Sequence, residues 1–469
     1  NGIKTHTESL RESIDYFTNN LGLGEQDPNL TIWDKFFDIG DPNRQAQQLK
    51  VNYNIPIDKI PIEFLEYGAA DVIATFRSYL ALKIDIIKTG SLTMLSHHIQ
   101  LLGSLALNRM YKNGIGFDES KAGAALTLLK TKMNKCFDIM CTYGWVKGIK
   151  GNQGVYNNII DYLELDLPKT EKGDYSMKET ELEVYKQEPF IANYLEYKKL
   201  EKTTFFIRKL SGDRVHPRYD LLKNTGRTGC SSPNIQQLPR DGEIRSMFKA
   251  AEGNTLLITD YSAIELATLA QVLYDAFGKS VMKDKINEGA DLHKYYASVL
   301  FSIPEEEVQK WQRQAAKAAN FGFPGGLGIQ TFIEFSRGYG LEISPKEATE
   351  MKATWFKAFP EMKEYLAGEE GLVWTRTGRL RADTTFCAEK NTPFQGLAAD
   401  GAKIALYNLM TQGFKLVGFV HDEIITEVPI DKVAEMRVLQ EQIMVQSMQV
   451  VVPDVAIRVD TTVSERYCK

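Results

Sequence analysis

The sequence lacks any long apolar run, and no stretch reaches the roughly 18 residues that a transmembrane helix requires. Its N-terminal segment is polar and shows no signal-peptide pattern. Five cysteines in 469 residues are too few for a disulfide framework, and Cys136-x₄-Cys141 has no second pair with which to bind zinc. These absences predict neither a membrane-spanning nor a disulfide-stabilised protein, and they favour a reducing compartment such as the cytoplasm.

A net positive charge is also missing, because 56 lysines and arginines face 61 aspartates and glutamates, for a formal charge of −5. The total charge therefore does not indicate nucleic-acid binding, although local clusters can override it. Lysines gather at residues 130–135, 147–150 and 197–202. For the first and last of these, contact with phosphates and a solvated helix face are equally good interpretations.

An alanine-rich run, Arg313–Gly322, predicts a helix that ends at Gly322. Arg313, Lys317 and Phe321 are spaced i, i+4 and i+8, so they share one helical face. Two cations in a row suit a polyphosphate, and the neighbouring ring suits a sugar or a base. A solvated basic face with Phe321 turned to the core is the alternative.

Two acidic residues follow short apolar runs that predict buried strands. Asp260 lies where a strand gives way to a helix, and Asp422 lies at the tip of a β-hairpin. Carboxylates on adjacent strand ends suit two Mg²⁺ ions about 3.5–4 Å apart. Each acid also has an ordinary explanation in a turn or a helix start, and Ser262-x-x-Glu265 matches a capping box.

Five segments, in order, resemble motifs of family A DNA polymerases, the family of bacterial DNA polymerase I. The matching segments are Thr225–Pro239, Asp260–Leu266, Arg313–Gly322, Asn391–Asp400 and Val420–Glu423. The resemblance covers residues 96–469 well and residues 1–95 loosely. It implies an α+β fold of right-hand architecture, with an antiparallel-sheet palm, helical fingers and a helical thumb, preceded by a partial exonuclease-like segment.

The resemblance also implies an activity, namely template-directed addition of deoxynucleotides to a primer 3′-hydroxyl with release of pyrophosphate. Asp260, Asp422 and the Tyr261 carbonyl would bind two Mg²⁺ ions, for which Mn²⁺ can substitute, and Glu423 would join the catalytic set. Arg313, Lys317 and His293 would bind the triphosphate, with Lys317 as the proton donor to pyrophosphate. Phe321, Glu265 and Tyr261 complete the implied nucleotide site, where Glu265 would crowd a 2′-hydroxyl. The implied contacts to primer-template DNA are Arg227, Asn234, Gln236, Asn391, Gln395 and His421.

The sequence departs from the family pattern at three positions. Ala263 and Ala267 stand where the family often has Gln and Arg, and Gly325 stands where many members have a Tyr that stacks near the templating base. The third departure puts template positioning in doubt and suggests a phage origin, with action in an infected host cell.

The segmentation implied by the resemblance has five parts. Residues 1–95 would be a remnant of a 3′–5′ exonuclease, 96–212 the thumb, 213–285 the first part of the palm, 286–375 the fingers and 376–469 the second part of the palm. Tyr67–Asp71 resembles the last exonuclease metal motif, but no Asp-x-Glu occurs in residues 1–66, so the chain should not proofread. The start at Asn1 predicts a processed or truncated product, for which an upstream exonuclease portion or a processivity factor would be a partner.

Two alternative functions stay open. One is a single-subunit RNA polymerase-like enzyme, against which Glu265 argues because its carboxylate would crowd a ribose. The other is a non-catalytic primer-template binding protein, against which the paired acids argue because binding alone does not need them. A hydrolase built on His421 and Asp422 is weaker, since the chain has no Gly-x-Ser-x-Gly pattern.

Overall fold

The computed structural model describes residues 69, 72–81, 84, 91–146, 153–221, 223–238, 242–368, 371–382 and 384–468. The chain divides into two compact units, Asn1–Leu95 and Ser96–Lys469. In the first unit, residues 72–81 are helical, and all of the Tyr67–Asp71 motif except Ala69 lies outside the described residues. None of the helices in the described ranges is both long and apolar enough to cross a membrane.

From residue 91 onward, the described chain forms fifteen α-helices and eleven strands. The helices α1 to α15 are Ser91–Asn113, Glu119–Cys141, Gln153–Tyr162, Glu179–Leu182, Pro189–Ile207, Gly242–Arg245, Ile264–Phe277, Val281–Asn287, Leu292–Phe301, Lys310–Gly322, Ile329–Arg337, Pro345–Ala358, Glu361–Tyr365, Phe386–Thr411 and Val433–Gln449. The strands β1 to β11 are Ile115–Phe117, Arg214–Val215, Arg218–Asp220, Gly229–Ser231, Phe248–Lys249, Asn254–Tyr261, Leu372–Trp374, Leu380–Ala382, Lys415–Val420, Glu423–Pro429 and Val459–Ser464.

The largest sheet has four antiparallel strands in the order β11-β6-β10-β9. Consecutive residues of β6 are buried, so both faces of the sheet are covered. Leu257 packs in a core with α7, α14 and α15, whereas its neighbours Leu256 and Ile258 pack in a second core on the other face. Because side chains alternate along a strand, an uninterrupted apolar run is what such a two-sided burial requires.

Three smaller antiparallel sheets complete the strand inventory of the described residues: β2-β1-β5, β3-β4 and β7-β8. The β2-β1-β5 sheet contributes Ile115, Phe117, Val215 and Phe248 to the second core. It therefore shares that core with the face of the four-stranded sheet that carries Leu256 and Ile258.

A helical layer formed by α9, α10 and α12 carries the predicted basic face. Its interior is aromatic, with Phe323 packed against Phe332 and Trp355, and Trp355 packed against Phe359. Helix α10 ends at Gly322, as predicted, and a short 3₁₀ helix, Phe323–Gly325, follows it. Pro324 suits this position because its fixed φ fits a first helical turn, while the next residues can end the helix.

Residues 96–146 and 153–207 are mostly helical, as predicted, and α2 packs along α5. An aromatic cluster around Phe190 holds the outer part of this region together. On α5, Lys198 pairs with Glu201 at 3.0 Å, and both side chains are about half exposed. For this one lysine cluster the pairing favours the solvated-face interpretation. Lys147 and Lys150 of the middle cluster lie outside the described residues.

Candidate functional site

The two predicted carboxylates come together at one end of the four-stranded sheet. Asp260 is the penultimate residue of β6 and lies directly opposite Glu423, the first residue of β10. Asp422 lies in the two-residue turn between β9 and β10, next to His421, whose φ of 60° is left-handed. The backbone N–H of Tyr261 donates to the carbonyl of Asp422 at 3.4 Å, which ties the two motifs to each other.

The negative charges of the neighbouring carboxylates Asp260 and Glu423 affect the ionisation of Asp422. Burial and the neighbouring Asp260 carboxylate raise the pKa of Asp422 to about 7, and Glu423 adds to the rise. The Arg227 guanidinium and a backbone hydrogen bond act in the opposite direction. Like charges held this close repel each other, and a bound cation would relieve the repulsion. Oxygen-rich, crowded carboxylates of this kind fit hard divalent ions.

The side chain of Tyr261 does not face the carboxylates. It is buried in the core, and its hydroxyl donates to the carbonyl of Met444 on α15 at 2.8 Å. Only the backbone of Tyr261 is therefore available beside Asp260. Within the described residues, no group of three or more His, Cys, Asp or Glu side chains is arranged to hold a metal. A metal here would need ligands beyond the acids, such as the Tyr261 carbonyl.

The capping-box interpretation of Ser262 and Glu265 is wrong. Helix α7 begins at Ile264 after Ala263, which has a left-handed φ of 51° and makes no side-chain cap. The Ser262 hydroxyl instead donates to Asp460 Oδ2 at 2.6 Å, on β11. Glu265 forms an ion pair with Arg227. The carboxylate of Glu265 is thus held by a residue of another segment and does not cap its own helix.

A cleft of about 640 Å³ lies beside this ion pair, lined by Lys223, Asn224, Thr225, Thr228, Gly229, Cys230, Asn234, Gln236, Gln237 and His421. Apart from Gly229 and Cys230, the residues of this lining have polar side chains. The Asn234 side chain accepts from the Gln236 N–H at 3.1 Å, and Gln236 Nε2 donates to Thr228 Oγ1 at 2.9 Å. These bonds orient the predicted DNA-contacting residues Asn234 and Gln236 toward one cleft, with His421 at its edge.

The predicted face of α10 is formed. Arg313, Lys317 and Phe321 are half-buried on one side, while the alanines and Asn320 are buried on the other. Arg313 Nε and Nη2 both lie 2.8 Å from Asp291 Oδ2. Lys317 Nζ is 6.0 Å from the centre of the Phe321 ring. The face therefore has two cations, one of them partly neutralised by Asp291.

His293 packs behind this face at a ring-centroid distance of 5.5 Å from Phe321. It is buried, and its backbone N–H donates to Asp291 Oδ1 at 2.8 Å, since Asp291 caps α9. Burial is the main cause that lowers the pKa of His293 to about 4; Arg313 and Lys317 act in the same direction, and Asp291 opposes them. The ring is therefore neutral at pH 7.

Asn391 and Gln395 lie one turn apart on α14 and share a face. Asn391 Nδ2 donates to the Cys387 carbonyl at 2.7 Å. Its amide also occupies the space above Gly325, because a Cβ added at Gly325 would overlap the Asn391 amide. Gly325 is therefore a close-approach glycine, and a tyrosine does not fit there in this arrangement.

Residues 147–469 match the family described as DNA polymerase family A, which is well over half of the chain. The chain belongs to this family.

Its relatives are bacterial. The chain is 36% identical over 327 residues to DNA polymerase I of Aquifex aeolicus, an alignment that covers 66% of this chain and 56% of the relative. It is 31% identical over 320 residues to the thermostable DNA polymerase I of Thermus aquaticus, covering 60% of this chain and 37% of the relative. The chain thus spans about half the length of the first relative and little more than a third of the second.

A solved structure has the same fold. The POL domain of Pol1 from M. smegmatis, in complex with DNA primer-template and dNTP, superposes with a TM-score of 0.69 at 24% identity, covering 86% of this chain and 75% of that chain. The predicted α+β fold of a family A polymerase is confirmed.

Of the other two departures from the family A pattern, only the one at Ala267 has a local structural explanation. Ala267 is buried in the core against the four-stranded sheet, and Ala263 holds the left-handed position before α7. A long polar side chain at position 267 would have to leave that core. The suggested phage origin stays a hypothesis.

Several residues of the site have no local signal in the sequence. Asp291 was visible only as the start of the segment that contains His293, and its pairing with Arg313 spans 22 residues. Lys403 Nζ donates to the Gly226 carbonyl at 2.5 Å and so holds the loop of Arg227 from α14, 177 residues away. Asn320 and Trp355, which bond each other at 2.9 Å, were likewise missed as partners. Only the folded chain brings these pairs together.

Proposed function

We propose that this chain is a template-directed DNA polymerase that extends a primer 3′-hydroxyl with deoxynucleoside triphosphates and releases pyrophosphate. The observation that carries the proposal is the meeting of Asp260 and Asp422 at one sheet end, where burial and the Asp260 carboxylate raise the pKa of Asp422. The cleft of Asn234, Gln236 and His421 adjoins this carboxylate pair, because His421 lines the cleft and directly precedes Asp422. An acid pair beside a polar cleft suits phosphoryl transfer on a bound polynucleotide.

The carboxylate pair would hold two divalent ions, Mg²⁺ or Mn²⁺, through Asp260, Asp422 and the Tyr261 carbonyl. Such ions lower the pKa of an attacking hydroxyl and stabilise a leaving oxyanion. Glu423 is buried opposite Asp260, so a third carboxyl group would lie close to such ions. The raised pKa of Asp422 supports this assignment, because bound cations would relieve the repulsion between its carboxylate and that of Asp260.

The face of α10 would bind the nucleotide. Arg313 and Lys317 supply positive charge for the triphosphate, His293 supplies a neutral donor, and Lys317 protonates the leaving pyrophosphate. Phe321 lies against His293 where a sugar ring would pack. Glu265, fixed by Arg227, would crowd a 2′-hydroxyl and so favour deoxyribonucleotides over ribonucleotides.

Primer-template DNA would lie along the cleft, contacted by Arg227, Asn234, Gln236 and His421 there and by Asn391 and Gln395 on α14. These polar side chains suit the minor groove, whose degenerate pattern allows a check of base-pair shape with little sequence preference. On this assignment residues 96–212 form the thumb, 213–285 and 376–469 the palm, and 286–375 the fingers. Residues 1–95 would be an exonuclease remnant without proofreading activity, completed by an upstream portion or served by a processivity factor.

The proposal is tested by primer extension on a recessed DNA duplex with Mg²⁺. Asp260→Asn and Asp422→Asn should each lower the extension rate by about a thousandfold or more, because an amide cannot replace a charged metal ligand. The matched control is Asp431→Asn, since Asp431 is exposed just beyond the far end of β10 and should leave the rate unchanged. Extension at the wild-type rate by either site variant contradicts the assignment.

A further inference from the structure

Asn320 is buried on the inner side of α10, and every polar atom of its side chain is engaged. Its Oδ1 accepts from Trp355 Nε1 at 2.9 Å. Its Nδ2 donates to the carbonyl of Leu292 at 3.1 Å and lies 3.0 Å from His293 Nδ1. The amide thus bridges α12, α10 and the first turn of α9.

The orientation of this amide follows from its partners. An indole N–H can only donate and a backbone carbonyl can only accept. The Asn320 oxygen must therefore face Trp355, and the Asn320 nitrogen must face Leu292. Its second N–H then points at His293 Nδ1, which has to accept. An imidazole whose Nδ1 accepts carries its proton on Nε2.

We propose that Asn320 is a positioning residue that fixes the ring proton of His293 on Nε2, so that His293 presents a hydrogen-bond donor to an anionic oxygen of the incoming triphosphate. The identity of this ligand rests on the proposed function, whereas the tautomer does not. Trp355 supports the arrangement by holding the Asn320 oxygen away from the imidazole.

The charges around His293 agree with a fixed donor. Asp291, Arg313 and Lys317 face the ring from α9 and α10, and burial favours the neutral imidazole. With no charge of its own, the ring can bind phosphate only through a correctly placed N–H. A proton on Nδ1 would leave the Nε2 lone pair toward the phosphate, which repels it.

The tautomer is measured directly by ¹⁵N NMR of histidine-labelled protein, with His293→Gln used to assign one signal among the six histidines of the chain. The expected spectrum shows His293 protonated on Nε2 and unprotonated on Nδ1 at pH 7. A proton on Nδ1 in the wild-type protein overturns the proposal, whatever the activity of the chain.

Asn320→Asp reverses the constraint, because both carboxylate oxygens accept and the imidazole must then donate from Nδ1. At pH 8.5 the nearby cations Arg313 and Lys317 keep the imidazole neutral, with one ring proton. In this variant that proton should lie on Nδ1. Its dissociation constant for deoxyadenosine triphosphate, measured calorimetrically with primer-template and Ca²⁺, should rise about tenfold, the usual scale for one hydrogen bond to a charged group. The KM should rise likewise while kcat changes much less.

Trp355→Phe is the second variant. It removes the N–H that orients the amide, together with part of the buried ring, and it should yield a mixture of both tautomers. Tyr296→Phe is the matched control. The Tyr296 hydroxyl donates to the Met351 carbonyl at 2.7 Å and joins the same two helices, α9 and α12, without touching His293. It should change stability but neither the tautomer nor nucleotide affinity.

A shift of the proton to Nδ1 in Asn320→Asp without weaker nucleotide binding overturns the positioning role and leaves the proposed function intact. Absence of nucleotide binding by the wild-type protein contradicts the proposed function instead. In that case the wild-type ¹⁵N spectrum still decides the tautomer.

Discussion

His293, behind the basic face of α10, is held in a state that makes its protonation costly in the folded protein. Burial, aided by the nearby cations Arg313 and Lys317, depresses the pKa of His293 to about 4. An unfolded chain binds a proton at an ordinary histidine pKa of about 6.5. Between these two values the unfolded state holds the extra proton, so stability falls as the pH is lowered through this window.

We therefore expect His293→Gln to reduce the acid sensitivity of the protein. On moving from pH 6.5 to 4, the wild-type protein should lose up to about 3 kcal/mol more unfolding free energy than the variant, because only the wild-type chain gains this proton on unfolding. Urea denaturation at both pH values gives the comparison. Equal losses in the two proteins would show that the imidazole is not held neutral by the fold.

Gly325 shows which structural features a sequence position reveals and which it does not. Its departure from the family pattern was visible in the sequence, and the early end of α10 at Gly322 was predicted correctly from the glycines and proline that follow. The reason for the glycine was not visible, because the amide that fills its side-chain space belongs to Asn391 on α14. Sequence patterns encode backbone preferences locally, but they do not name a tertiary neighbour.

At the scale of elements, the spacing of apolar residues in the sequence correctly predicted the buried strands. The uninterrupted apolar runs of β6 and β9 predicted buried strands, and the structure covers both faces of their sheet. The Ser262–Glu265 capping pattern failed because Ser262 and Glu265 have stronger partners, Asp460 and Arg227, on other elements. Long-range polar contacts can override a local motif when they satisfy a charge.

Close strand pairing provides a test at this scale. Gly116 of β1 lies opposite Lys249 of β5, and a Cβ added there would overlap the Lys249 carbonyl oxygen. We expect Gly116→Ala to destabilise the protein by about 1–3 kcal/mol, since a backbone atom must move. The urea midpoint measures the change.

The control substitution is Gly123→Ala in α2, where an added Cβ meets nothing within 4 Å. It should stabilise the protein by about 0.5–1 kcal/mol, because alanine restricts the unfolded chain and favours helix. If Gly116→Ala leaves the urea midpoint unchanged or raises it, the close approach at Gly116 is not a structural constraint.

At the scale of the whole molecule, the sequence predicted the fold and the position of Asp260 and Asp422 at strand ends, because the motifs concerned are short and local. Asp260, Asp422, Arg313 and Lys317 each lie within a segment whose pattern also sets its helix or strand. The supporting pairs could not be predicted: Arg313 with Asp291, Arg227 with Glu265, and Lys403 with the loop of Gly226. Those contacts depend on packing between elements that are far apart in the chain.

The net charge of −5 shows the same limit. The net charge argued against nucleic-acid binding. Folding nevertheless forms a cleft of mostly polar residues and a basic helical face, which a sum over the whole chain does not reveal. The proposed function therefore depends on the placement of charge more than on its sum.

The most direct measurement is addition of a single nucleotide to a recessed primer, on four duplexes that differ only in the first unpaired template base. With Mg²⁺ and each deoxynucleotide in turn, we expect only the complementary nucleotide to be added. The corresponding ribonucleotide should be added far more slowly, and Asp422→Asn should abolish addition. Addition that ignores the template base, or that survives in Asp422→Asn, would contradict template-directed synthesis at the Asp260–Asp422 pair.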